Sequence, residues 1–337
     1  MAFQVDAVRL RSSKISLSPA NEEVSPMWFK NLQLYRFTKP FELDAATLGQ
    51  QLAQHSFAPC GSQDSSRSGW VPPLGRHGSE FVHASNGFLM ICVKRQDKLL
   101  PAAVVNEALE EKVLQIEERE TRNLPRKERS SLKDEIVFSL LPRAFVRSSY
   151  QFAYISPRDN MLVIDASSAK RAEELIDDLR AALGSLSVIP LASKSQPIDV
   201  MTRWVDSGLP AQGFELGEEC ELRDNTDISC VIRCKNQNLA AAEIVNHLKT
   251  GMHVSKLALS WQERIECVLD EKLILRRLRF SDLVQEQADE VEAEDVATQF
   301  DVDFSIMALE LSVFLKSLVS ALGGEDLTQP TPAAAAD

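Results

Sequence analysis

Short groups of basic side chains recur along this chain. Lys94 and Arg95 are followed by Lys98; Arg122, Arg126, Lys127 and Arg129 crowd one stretch; Arg233 and Lys235 are two apart; Lys249, Lys256, Arg276, Arg277 and Arg279 come later. Cations so grouped suit phosphate binding, because each Lys or Arg held against a nucleic-acid backbone releases condensed counterions. The whole chain points the other way, with 49 acidic against 37 basic residues and a net charge of −12. Phosphate repels such a surplus, so binding would need the basic residues gathered on one surface. The densest run, Arg122 to Arg147, holds seven basic and three acidic residues and closes on Pro142-Arg143-Ala144-Phe145. Any single cluster reads most simply as a solvated face. Their recurrence, with acid concentrated elsewhere, suggests one basic and one acidic face.

Other chemistry is poorly represented. The chain has no GxGxxG, GxxxxGK[ST], GxSxG or HExxH. Its histidines, His55, His77, His83, His247 and His253, are isolated in sequence, and a metal site from His77, His83 and Cys60 is rejected as improbable chemistry for loop and strand positions. Asp301 and Asp303 could hold a divalent cation, but acidic residues approaching a helix N-terminus answer better to the helix dipole. No enzyme, cofactor or metal site is expected. The six cysteines lack a CxxC and read as buried reduced thiols, Cys230 and Cys234 lying on a strand.

The elements that must carry these residues follow from periodicity. At 44% hydrophobic and 26% charged, the 337-residue chain is an ordinary globular composition. No run of ~18 apolar residues and no secretory signal is read, so a cytoplasmic protein without membrane contact is expected. The pattern begins at Met27, where Leu32 and Leu34 alternate with Asn31 and Gln33 as in a half-buried strand. Asp44 caps a short helix facing inward through Leu48 and Leu52. Residues 58–78 read as a long loop, and 79–98 as a hairpin.

Pro101 at the first helical position opens a helix striped by Val105, Leu109, Val113 and Ile116. A second, from Ser130 or Ser131, buries Leu132, Ile136, Val137, Leu140 and Leu141 and stops at Pro142. Residues 101–145 are thus a helical hairpin with a basic turn. Phe145 either caps that hairpin's core or is an exposed aromatic anchor for self-association. A hairpin turning at Pro157–Asn160 and a helix over 168–183 follow. From 196 come a helix with Trp204, strands near 213–223 and 229–235, a helix at 239–249 and three strands across 254–280. Residues 282–303 hold nine acids and no base, and Phe300, Phe304, Met307, Leu311, Phe314, Leu315, Leu318 and Leu322 stripe a long last helix. The class is α+β with antiparallel sheets.

Several strings combine into a resemblance: MWFKNL, FAPCGSQD, GWVPPLG, NGF with ICVKR, SLKDEIVFSLLPRAF, PAQGFEL, KLALSWQERI and QFDVDF. Together, from Met27 to about Gly324, they resemble the bacterial recombination-associated protein RdgC family. The resemblance implies a non-sequence-specific double-stranded DNA-binding protein of the nucleoid that restrains the RecA recombinase. It implies a horseshoe-shaped multi-domain subunit that closes as a homodimer into a ring around duplex, basic inside and acidic outside. The expected division is an extension at 1–26, read as disordered; a central region at 27–100 and 147–195; a helical tip at 101–146; a base at 196–280; an acidic segment and helix at 281–324; and a disordered tail at 325–337. DNA contacts are expected from Lys94, Arg95, Lys98, Arg122, Arg126, Lys127, Arg233, Lys235, Gln237 and Lys256. Phe145 falls at the tip-to-tip contact, and Arg233, Lys235 and Gln237 in the region of the base contact. Asn236 and Met252 depart from lysines of the family pattern, which thins the charge there. The rival reading is a regulator that touches the recombinase directly through 282–303.

Overall fold

Pairing between strands far apart in sequence organises the molecule. The computed structural model describes residues 28–224, 227, 229–289 and 293–328. In chain order its elements are β1 (Leu32–Phe37), α1 (Ala45–Gln54), β2 (Ser66–Val71), β3 (His83–Ser85), β4 (Phe88–Leu99), α2 (Ala102–Glu120), α3 (Arg126–Leu140), β5 (Phe145–Ser156), β6 (Met161–Asp165), α4 (Ala169–Leu183), β7 (Val188–Pro190), α5 (Pro197–Ser207), β8 (Phe214–Asp224), β9 (Val231–Cys234), α6 (Ala242–Lys249), β10 (Met252–Trp261), β11 (Ile265–Asp270), β12 (Leu275–Phe280), α7 (Asp282–Asp289) and α8 (Val296–Ala321). The expected disordered segments, 1–26 and most of 325–337, lie outside the described residues.

All the strands join one antiparallel sheet in the order β2-β4-β5-β6-β1-β12-β11-β10-β8-β9, with β3 beside β4 and β7 beside β1. The α+β class with antiparallel pairing holds, as a continuous sheet rather than several. Its two flanks meet between β1 and β12 at one registered pair, Leu32 with Leu275. Around that seam the Leu278 amide donates to the Lys30 carbonyl at 2.8 Å, and Arg276 donates to the Ser167 carbonyl at 2.8 Å. Asp165 accepts the Asn31 amide at 2.9 Å.

Period-2 alternation splits the first flank's side chains between two cores. Tyr35, Ile91, Ala153, Ile155 and Leu162 face α1 and α4. Leu32, Leu34, Met90, Tyr154 and Val163 face the large core that α8 shares with the second flank. β1 is therefore buried on both sides, where half-burial was expected; Gln33, 4% exposed, is accommodated by donating to the Ala166 carbonyl.

The helices form where period and caps agree. Asp44 accepts the Thr47 amide at 2.7 Å, Ser168 caps α4, and Gly184 ends α4 at φ 72°. α8 carries the whole expected stripe from Phe300 to Leu318 into the core. By length and composition it could cross a membrane, with a mean hydropathy of 1.6, although Asp301, Asp303, Glu310 and Lys316 interrupt it, so it is not an unbroken apolar run; here its apolar side packs on the sheet. Asp301 and Asp303 lie on this helix rather than on a strand, so they do not share a face.

Other expectations need correcting. The stretch read as loop over 58–78 contains β2, which the 55–57 backbone approaches so closely at Gly69 that a Cβ there would sit 2.5 Å from the Phe57 Cα. α3 starts at Arg126, because Pro125 presets the entry and the basic run itself is helical. Pro101 is the N-cap of α2 rather than its first helical residue. Cys230 is exposed and Cys60 and Cys234 are half-buried, so only Cys92, Cys220 and Cys267 fit the buried-thiol reading; all six are reduced.

Candidate nucleic-acid interface

β4 and β5 are twelve-residue strands paired from Leu89–Ile155 to Leu99–Phe145. Their inner thirds are core and their outer ends are exposed, so the ladder runs out of the core and carries α2 and α3 as an arm. That arm has a small core of its own: Val105, Val113, Leu124, Leu132 and Ile136. Phe145 begins β5 at 83% exposure beside Leu99 at 47%, so it does not cap the arm's core.

The expected DNA-contacting residues form three groups. On the arm, Arg122 bridges Glu120 and Glu128, both at 2.8 Å. Arg126 and Lys127 are exposed at the start of α3, and with Arg129, Lys133, Arg143 and Arg147 they have no ion pair among the described residues. On the ladder, the Lys94 ammonium lies over the Phe57 and Tyr150 rings, 5.2 and 5.1 Å from their centroids. Its neighbour Arg95 points to the opposite face and pairs with Asp97 at 2.8 Å and Glu174 at 3.3 Å. Lys98 donates to the Ser62 carbonyl at 2.5 Å.

The third group lies at the far edge of the sheet, on β8, β9 and β10. Cross-strand register sets Glu221 opposite Arg233 and Lys256. Glu221 is the hub: it accepts from Lys256 at 2.9 Å, Arg233 at 3.0 Å and Arg223 at 3.4 Å. Burial alone would push its pKa up, but hydrogen bonds from Lys256 and Arg233 outweigh it and hold the carboxyl at about 2. Glu219 repeats the device, its pKa lowered chiefly by a hydrogen bond from Arg277. Arg277 reaches it from a bulge in β12 at φ 50°. Glu221, Arg233, Lys235, Lys256 and Arg277 line an open cavity of about 360 Å³. The Gln237 amide donates to the Glu218 carbonyl at 3.2 Å, beside this cavity rather than in it.

Seven strand spacings separate β4 from β8, roughly 34 Å of sheet. The ten residues are therefore not one cluster, and many of their charges are locally neutralised. The partners were invisible in sequence because Glu174 and Glu221 reach their cations through strand pairing and helix packing. His83 was also missed: its Nε2 lies 2.9 Å from Asp301, which is 218 residues away.

The family model described as "Putative exonuclease, RdgC" matches residues 27–325. The chain belongs to the RdgC family. It is 48% identical to the recombination-associated protein RdgC of Aeromonas hydrophila over 300 residues, 89% of this chain and 99% of the relative. The protein of the same name from Tolumonas auensis is 47% identical, again covering 89% and 99%, and that of Yersinia enterocolitica 44% with the same coverage. RdgC relatives are thus named for recombination while the family model is described as a nuclease. Among the described residues no group of three or more His, Cys, Asp or Glu is placed to hold a metal ion.

Proposed function

We propose that this protein binds double-stranded DNA without sequence preference, as a nucleoid-associated ring-shaped homodimer that encircles duplex and restrains a RecA-type recombinase. The observation that carries the reading is the arm. Its exposed Arg126, Lys127, Arg129, Lys133, Arg143 and Arg147 have no carboxylate partner among the described residues, so they are available to phosphate. The paired cations of the far edge contribute less, because each must exchange a carboxylate for a phosphate. Phe145, exposed beside these charges, serves as the contact to the second subunit. A horseshoe subunit, cytoplasmic location and antagonism of the recombinase follow from the family resemblance.

Fluorescence anisotropy with a random-sequence duplex tests this. Binding should saturate, ignore sequence and weaken with salt by a log–log slope of about −0.9 per phosphate neutralised. Replacing Arg126, Lys127 and Arg129 together by alanine should flatten that slope by roughly 2 to 3. No binding at low salt would sink the reading and leave direct contact with the recombinase through 282–303.

The family's description favours one second reading, exonuclease activity. End-labelled duplex incubated with the protein and magnesium decides it: shortening from the ends establishes cleavage, and intact label leaves binding as the activity.

A further inference from the structure

We propose that Cys220 and Cys234 are a peroxide-sensitive dithiol whose closure to a disulfide staples the edge strand β9 to β8. The two residues are direct cross-strand partners. Antiparallel partners have Cα atoms ~4.5 or ~5.5 Å apart, inside the ~4.4–6.8 Å a disulfide spans. The register alone therefore sets the two side chains on the same face of the ladder, side by side across it. Both belong to the large core, with Leu222 and Ile232 next along the ladder, and both also border the open cavity lined by Glu221 and Arg233.

Access differs between them. Cys234 is half-buried on a strand that pairs on one side alone among the described residues, whereas Cys220 is 5% exposed. Burial, and then proximity to Cys234, push the Cys220 thiol up to about 12, so it waits as a protonated resolving group. Cys92 and Cys267 face Phe152 and Leu259 across their ladders, not a second thiol.

The reaction balances with a peroxide as oxidant. The Cys234 sulfur attacks one peroxide oxygen, the O–O bond breaks, and a sulfenic acid and one water form. The Cys220 sulfur then attacks the sulfenic sulfur; the S–O bond breaks, and the hydroxyl leaves as a second water with the Cys220 proton. Two thiols lose two electrons, and both peroxide oxygens end as water.

Hydrogen peroxide treatment followed by alkylation, intact mass and non-reducing peptide mapping tests this. The expected product has lost two hydrogens, links Cys220 to Cys234 within one chain, and reverts with a thiol reductant. Amide exchange across Val231–Cys234 should slow on the order of a hundredfold. Cys230→Ser should keep the product and Cys234→Ser should abolish it. A bond to Cys230, a bond between chains, or Cys234 overoxidised while Cys220 still alkylates would each overturn the proposal.

Discussion

Glu221 concentrates three cations on one carboxylate, and its titration should be visible in stability. Its folded pKa of about 2 lies below the ~4.3 of an unfolded glutamate. The stabilisation is therefore complete above about pH 4.3 and is lost as pH falls toward 2, amounting to about 2 kcal/mol after screening of its exposed partners. Thermal melts from pH 5 to pH 2 should show this decline, and Glu221→Gln should flatten that part of the curve while lowering stability at neutral pH. Phe145 predicts the opposite separation. Because it is exposed, Phe145→Ala should change unfolding free energy by less than about 0.5 kcal/mol, yet weaken the proposed dimer at least about tenfold. Sedimentation equilibrium reads the second effect, and an unchanged dimer constant removes Phe145 from the interface. Charge runs such as Arg126–Arg129 were legible at this scale because sequence neighbours stay neighbours on a helix. The pairing of Arg95 or Arg277 was not, since Glu174 and Glu219 arrive through tertiary structure.

Among the elements, helices were read well wherever a cap and a 3.6-residue stripe coincided, as in α1, α4 and α8. Strands were harder. β2, in the sequence SRSGWV, has small polar residues where alternation should show, and its neighbours are turn formers. What defines it is a place at the sheet edge beside β4, with the Trp70 amide donating to the His55 carbonyl and the Phe57 amide to the Trp70 carbonyl. Gly69 permits that approach. Gly69→Ala should cost roughly 2–3 kcal/mol, measured by urea denaturation, since the Cβ would meet backbone that cannot move without lifting the 55–57 segment. A cost below about 0.5 kcal/mol would mean the segment is not held as described. The arm illustrates the converse: its stripes were legible, but α3's early start depended on Pro125, which presets the chain for entry.

At the scale of the whole molecule, α8 connects what the sheet joins weakly. It touches the first flank through Asp301 with His83, Ser305 with Ser85 at 2.7 Å and Lys316 with Asp159 at 2.7 Å. It touches the second through Glu310 with Arg264 and through Phe314 against Phe214 and Trp261. Leu311, fully buried midway, is expected to cost about 2–5 kcal/mol when cut to alanine. Far-UV circular dichroism and tryptophan fluorescence should then report one earlier, shared transition; a second flank that melts separately would show that α8 does not couple them. That coupling could not be read from the stripe alone, which says that a helix is buried but not between which surfaces. The single-rung seam at Leu32 and Leu275 gives the sheet a direction of low flexural stiffness. Within each flank many ladder bonds resist bending, but along β1 and β12 the hinge line is crossed by few. The large core runs unbroken beneath that line, from Leu34 and Val163 to Leu257 and Leu275 under α8, so side-chain packing rather than ladder bonding sets how stiffly the two flanks are held.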